Sequence, residues 1–485
     1  METKLQILFL VGILLPLQFL KITGYLHDGA AAGIPQKINY PAINCRKHTA
    51  SLTDFGGKGD SKTSNTAAFK AAIANLSKVA GDGGAQLVVP PGKWLTGAFS
   101  LTSHFTLYIH KDAVILGSEE ESDYPLIDPL PSYGRGRDAP GKRFSSLISG
   151  TNLTDVVITG GNGTIDGQGA IWWKKFKGKQ LQNTRGYLVE ILFTNQLQIS
   201  NLTFKNSPSW NLHPTYCNDV IIEHVTVLAP IDSPNTDGID PDSCSNIRIR
   251  DSYVVSGDDC IAVKSGWDQY GIKVGLPTQH LSIKRFTCIS PDSAVIALGS
   301  EMSGGIRDVR AEDITAINSQ SGIRIKTAPG RGAYVKDIYV RNFYADTMKY
   351  VLWSTGAYGQ HPGEGFDPTA IPQVKNINYR DFVAKNVTYV GSLSGIEGHP
   401  FTGFCISNLT ATLAGPATAA AEVEDYVAAV KKKLPWNCTD VAGVTSRVVP
   451  KACVQLPEKS PVVCPFPTDV LPIDRVELKS CSVGV

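Results

Sequence analysis

Apolar residues recur through the middle of the chain in a hexad of the form apolar-x-apolar-x-x-apolar. It begins Leu197-Gln198-Ile199-Ser200-Asn201-Leu202 and Val220-Ile221-Ile222-Glu223-His224-Val225. Further copies start at Ile247, Leu281, Val309, Ile338, Ile377 and Phe404, the Ile247 copy being imperfect because Ser252 fills its last place. The opening positions alternate as a half-buried strand does, setting Ile199, Ile222, Ile249 and Ile283 on one inward face, with Arg248 and Lys284 on alternate positions. Spacings of 23, 27, 34, 28, 29, 39 and 27 residues lie in the solenoid range and are too irregular for helical repeats of fixed length. The pattern predicts an all-β, single-stranded parallel β-helix over residues 51–415, its variable loops absorbing the spacing differences.

A second strand class runs through Ile239, Ile261-Ala262-Val263, Ile296-Ala297-Leu298 and Ile323-Arg324-Ile325, offset by 22, 35 and 27 residues. If these stack, neighbouring turns lie about 4.8 Å apart, and the positions two before form a column of Asp237, Asp259, Ala294 and Ser321. Asp237 then stands beside Asp259, with Asp258 one residue earlier and aimed elsewhere. Gly238 and Gly257 taken alone would suit plain turns. Crowded carboxylates, however, repel when ionised and cost stability unless they have a use. Paired acids are the usual equipment for cleaving a glycosidic bond, and crowding raises the proton affinity that a general acid needs. Arg324 and Lys326 at the edge of the same sheet would neutralise a sugar carboxylate, Arg bidentately. His213 lies one turn before Asp237 by the 27-residue offset from Leu212 to Ile239, placing it either in a sugar subsite or in a turn hydrogen bond.

Composition narrows the class. At 485 residues and 42% apolar content the chain can bury a large core, and a formal charge of +2 gives no reason to invoke nucleic acid or an anionic membrane. Residues 1–24 resemble a secretory signal peptide, with an apolar run from Leu5 to Leu20 and a small-residue exit at Gly24, followed by a leader over 25–50. No later stretch reads as a membrane span. All ten cysteines follow the proposed cleavage point without a Cys-x-x-Cys pair, so disulfides are expected. Seven glycosylation sequons, at Asn75, Asn152, Asn162, Asn201, Asn386, Asn408 and Asn437, suit a secreted, extracellular or cell-wall monomer.

A capping helix is predicted from Ser64 to about Val79, with Phe69, Ile73 and Leu76 on one face and N-cap oxygens from Ser64, Asn65 or Thr66. Residues 416–485 are predicted to hold a helix over Ala419–Lys433 and a Pro-rich tail stapled by Cys438, Cys453, Cys464 and Cys481. The run Phe55-Gly56-Gly57-Lys58-Gly59-Asp60 lacks the Gly-Lys-Ser/Thr ending of a phosphate loop and is read as a loop before the cap. The three aspartates lack the spacing of a known calcium loop, and neither a metal nor a cofactor is predicted.

Several motifs together resemble the polygalacturonase family of glycoside hydrolases (family 28), in particular its plant branch. They are Leu52-Thr53-Asp54-Phe55-Gly56, Asn235-Thr236-Asp237-Gly238, Ser256-Gly257-Asp258-Asp259-Cys260, Gly299-Ser300-Glu301-Met302-Ser303-Gly304-Gly305 and Arg324-Ile325-Lys326-Thr327, within about Cys45 to Ser446. The resemblance implies a right-handed parallel β-helix that is secreted, needs no metal and cuts α-1,4-linked galacturonan with inversion. It makes Asp258 the general acid, Asp237 and Asp259 the pair that holds and deprotonates water, and Arg324 and Lys326 the grip on the galacturonate carboxylate. Cys260 and Cys288 correspond to a family disulfide. An inverting pair stands roughly 6.5 to 9.5 Å apart. One departure is plain: where most members carry Gly-His-Gly, this chain has Ser293-Ala294-Val295, with Ala294 at the place of the His. That departure motivates two alternatives, a hydrolase of rhamnogalacturonan or xylogalacturonan and a weakly active pectin-binding wall protein. A calcium-dependent lyase on the same solenoid has poor sequence support.

Overall fold

The structure, a computed structural model, describes residues 45–415 and 434–478. The proposed signal peptide, most of the leader and the helix expected over 419–433 lie outside the described residues. The described chain winds as a right-handed parallel β-helix, its main sheet running from His48–Ser51 to Val441–Val449 with every pairing between successive turns parallel. The hexads stack in the predicted register: Leu197 on Val220, Val220 on Ile247, Ile247 on Leu281, Leu281 on Val309, and onward through Ile338 and Ile377 to Phe404.

The corner geometry explains why the hexad breaks strict alternation. Its fifth residue turns the strand through the left-handed region at Asn201, His224, Asp251, Arg285, Asp313, Asn342, Asp381 and Asn408, with φ between 50 and 60°. A second left-handed corner precedes each hexad, at Gln196, Asp219, Asn246, His280, Asp308, Asp337, Asn376 and Gly403. Asn and Asp tolerate this conformation best, which accounts for most of both columns. Two of the sequons, at Asn201 and Asn408, are therefore by-products of corner chemistry, although all seven asparagines are exposed.

The second strand class is also in register, through single bridges from Leu212 to Ile239 to Ile261 and then paired strands to Ile296 and Ile323. The column is longer than predicted, reaching back through Val189 and Ile148 to Phe99 and forward to Leu352. It forms the floor on which the candidate site is built.

The capping helix spans Thr66–Leu76 and buries Phe69, Ile73 and Leu76 on the first turns, the Phe69 ring stacking on Phe99 at 4.3 Å. Asn65 sits at its N-cap but makes no capping bond. Its side chain instead accepts from the Lys58 N–H at 2.7 Å and donates to Leu95 O at 3.1 Å, tying down the Gly-rich loop. Two short helices were not legible in the sequence, Ala170–Lys177 and Asp268–Val274.

Disulfides join Cys260 to Cys288, Cys405 to Cys464 and Cys438 to Cys453. Cys217 and Cys244 are a correction to the expectation of full pairing, being buried thiols on adjacent turns, with the Cys217 N–H donating to Cys244 Sγ at 3.2 Å. The tail folds back over the main sheet, where Leu471, Ile473 and Val476 pack on Ile221 and the buried Arg248 donates to Ile473 O and Val476 O.

Candidate active site

Asp237 precedes the floor position Ile239, and Asp258-Asp259 precede Ile261 one turn on, so coil stacking itself brings the three carboxylates together. One oxygen from each lies within 4.8 Å of the others. That is closer than the 6.5 to 9.5 Å expected of an inverting pair, because carboxylates on adjacent turns inherit the spacing of the coils. Gly238 and Gly257 serve this approach and are not left-handed turns. A Cβ at Gly238 would meet Cys260 O at 2.5 Å, and one at Gly257 would meet Ser233 O at 2.1 Å. The Cys260–Cys288 disulfide fixes the residue after Asp259 to the neighbouring turn.

The three acids differ in environment. Asp259 is fully buried and accepts from Lys326 Nζ at 2.5 Å, Ser293 Oγ at 2.5 Å and the Ala294 N–H at 3.0 Å. Burial pushes its carboxyl up, but Lys326, Arg324 and Ser293 outweigh burial and hold it below the ordinary value, ionised. Asp258 is the partly exposed member. Burial, then the charge of Asp259, raises its carboxyl above the ordinary value. Asp237 is pushed up to about 8 by burial and by Asp258. Asp237 and Asp259 are thus not equivalent, since one carries a proton where the other carries a charge.

Arg324 and Lys326 part company. The Arg324 guanidinium lies over Trp353 at 3.8 Å, and the half-buried side chain makes no ion pair among the described residues, leaving the group able to receive a carboxylate. Lys326 is engaged with Asp259 and only 7% exposed, so it serves the acid cluster and is not a free grip on substrate. The aspartate oxygens are close enough to share a divalent cation, but lysines already balance their charge, and no metal role is assigned.

His213 is the clear correction. Its side chain is 0% exposed and lies on the outer side of the floor between Glu190 Oε1 at 3.2 Å and Asp242 Oδ2 at 3.4 Å, with the Tyr187 and Trp210 rings packed edge-on against it. It lines no subsite. Burial alone would lower its affinity for a proton, but Asp242 and Glu190 outweigh burial and raise it. His213→Ala is expected to cost about 3 kcal/mol of stability by leaving two buried carboxylates short of a partner. Urea unfolding at pH 6 checks this, with KM for any saccharide substrate little changed.

Two functional residues were missed. Lys264 ends the alternation after Asp259, and its Nζ stands 3.6 Å from Asp237, 3.5 Å from Asp240, 3.6 Å from Glu301 and 4.3 Å over the Trp210 ring. Its place directly after the apolar-x-apolar strand Ile261–Val263 was visible, but the floor column that buries it was not. Ser293 is the second, its hydroxyl lying 3.0 Å from Asp258 Oδ1 and 2.5 Å from Asp259 Oδ1. It joins the two acids next to Ala294, where the family's His was expected. Ser293→Ala removes a bond that favours the ionised form of both acids, so both limbs of the pH–rate profile are expected to move upward. A profile of kcat/KM across pH 3 to 9 measures this.

A model of the family described as Glycosyl hydrolases family 28 matches residues 86–430. The chain is 60% identical over 455 residues to a Vitis vinifera protein named Probable polygalacturonase, covering 93% of this chain and 90% of that one. Among solved structures it is similar to a hyperthermoactive exopolygalacturonase from Thermotoga maritima, at 26% identity and a TM-score of 0.68 over 78% of this chain and 89% of that chain. A polygalacturonase from Erwinia carotovora ssp. carotovora shares the fold, at 20% identity and a TM-score of 0.62 over 84% of this chain and 100% of that one. With a coil-stacked acid cluster at its centre and these relatives along most of its length, the chain is a glycoside hydrolase and belongs to glycosyl hydrolases family 28.

Proposed function

We propose that the chain is a secreted enzyme hydrolysing α-1,4-galacturonosyl linkages in pectic galacturonan, with inversion at the anomeric carbon. The observation that carries this reading is the electrostatic division between Asp258 and Asp259. Asp258, raised and facing the groove, gives its proton to the leaving glycosidic oxygen. Asp259, held ionised by Lys326, takes a proton from the attacking water. Asp237 helps hold that water, and Arg324 receives the substrate carboxylate over Trp353. The C1–O bond breaks as a C1–OH bond forms, and one proton enters the cluster as one leaves.

The close approach of the acids favours a second reading, retention through a covalent glycosyl-carboxylate. Inversion is preferred because a nucleophile has no need of a second carboxylate at coil spacing, whereas a water held between two has. Secretion follows from the signal-like residues 1–24 and the disulfides. No helix among the described residues is long and apolar enough to cross a membrane.

The test is incubation with polygalacturonate, rhamnogalacturonan and xylogalacturonan in parallel. New saturated reducing ends from polygalacturonate are expected. Cleavage confined to another polymer would reassign the substrate, unsaturated ends would make the chain a lyase, and binding without product would make it a wall-binding protein.

A further inference from the structure

The buried position of His213 has a cause, and that cause shapes the groove. Segment 128–140 lies across the floor on the N-terminal side of the acids. At one wall the Trp267 N–H donates to Ser132 O at 2.8 Å, Tyr133 Oη donates to Asp242 Oδ2 at 2.6 Å and the Ser132 N–H donates to Tyr216 Oη at 3.0 Å. At the other wall Asp138 pairs with the fully buried Arg185 at 2.9 Å, and the Phe144 N–H donates to Thr184 O. Between Tyr133 and Asp138 the chain therefore crosses the full width of the face, above Glu190 and His213. Leu130, Tyr133, Tyr187, Trp210, Tyr216 and Trp267 form a separate apolar cluster that anchors the crossing.

Loop 356–372 closes the corner from the other direction. Arg135 Nη1 donates to Pro362 O at 2.6 Å, Trp267 Nε1 donates to Gln360 O at 3.1 Å, and His361 Nδ1 pairs with Asp268 Oδ2 at 2.5 Å. Arg331 binds both Asp268 and Gln360 O. Between this loop and the crossing segment lies a pocket of about 480 Å³ lined by Arg135, Arg137, Tyr187, Trp210, Trp267 and His361. That is the size of a site for a small molecule, not of an open polymer cleft. It abuts the acids, because the lining residue Asn235 is 3.4 Å from Asp258 Oδ2 and the lining residue Trp210 carries Lys264 on its ring.

We propose that this pocket is a terminal-residue site: it receives the end of an acidic polysaccharide and holds a uronate carboxylate on Arg135 and Arg137. The chain beyond the scissile bond leaves along the open floor past Arg324, and the enzyme works from one end. This rests on the galacturonan reading above. Arg137 is still 23% exposed at its side chain despite its pairing with Glu301. Arg135 is held by the backbone carbonyls of Gly136 and Pro362 and has no acidic partner among the described residues.

The experiment follows wild-type enzyme on polygalacturonate by viscosity and by oligomer separation, and in parallel titrates digalacturonate against tryptophan fluorescence for the wild type and Arg135→Gln. Galacturonate or digalacturonate as the early product, with viscosity almost unchanged, is the expected result. Rapid viscosity loss with a ladder of oligomers would overturn the terminal site while leaving the galacturonan reading standing. If polygalacturonate is not cleaved at all, that reading falls and the titration decides the site alone. Saturable quenching weakened at least tenfold in Arg135→Gln upholds a uronate pocket, and no quenching, or quenching indifferent to Arg135, rejects it.

Discussion

Asp258→Asn is expected to lower kcat by about 10²- to 10⁴-fold, the contribution of a positioned general acid, while the protein remains folded. The side chain keeps its shape, and an amide oxygen can still accept from the Asp259 N–H at 2.8 Å and from Ser293 Oγ at 3.0 Å. What disappears is the transferable proton, together with one charge from a crowded cluster. Since burial and Asp259 raise the Asp258 carboxyl, its ionised form is a burden on the fold. The variant is therefore expected to unfold in urea no earlier than wild type at pH 7. An acid with a raised pKa is lost to catalysis as pH rises through that value, whereas the depressed Asp259 fails only as pH falls through its own. The wild-type profile should accordingly be broad, with its alkaline limb above the ordinary carboxylate range, and an active variant with an unchanged alkaline limb would remove Asp258 from the acid's role.

Lys264→Met has the largest effect expected on stability. Burial alone would push the Lys264 ammonium down, but Glu301, Asp237 and Asp240 outweigh burial and hold it protonated well above the ordinary 10.5. Its contribution is thus fully present below that value, and pH 7 is a fair place to measure it. Methionine preserves much of the stem that packs on Trp210 but takes from the ionised Glu301 one of its two cations, leaving Arg137, and removes the charge that draws down the raised carboxyls of Asp237 and Asp240. Breaking a buried ion cluster from one side costs about 3 to 5 kcal/mol. Asp240 is especially exposed to the loss, since both its oxygens are buried and neither makes a hydrogen bond. A urea midpoint within error of wild type would show that Lys264 is not the keystone of this cluster.

The periodic parts of this molecule were legible in its sequence and the aperiodic parts were not. Hexads from Leu197 to Phe404 stack as their spacing implied, because each inward Ile or Val must land on its neighbour to bury both. The same arithmetic brought Asp237, Asp258 and Asp259 together. What it could not supply was the path of the loops. Segment 128–140 belongs to no repeat, yet it decides that His213 is buried and that the groove is closed on one side. Lys326 was placed at the correct edge, but which of two nearby partners it would take, an enzyme carboxylate or a substrate one, depends on side-chain reach and not on register. Lys264 and Ser293 escaped for the same reason: each looks like an ordinary polar position until the neighbouring turn supplies the acids it faces.

The central claim is that water, held beside the ionised Asp259, displaces a sugar whose leaving oxygen Asp258 protonates. Proton NMR of the first product formed from an α-linked galacturonate oligomer, recorded before mutarotation, tests it most directly. The account predicts that the new reducing end appears first as the β-anomer, whereas initial release of the α-anomer would mean a covalent intermediate and contradict it.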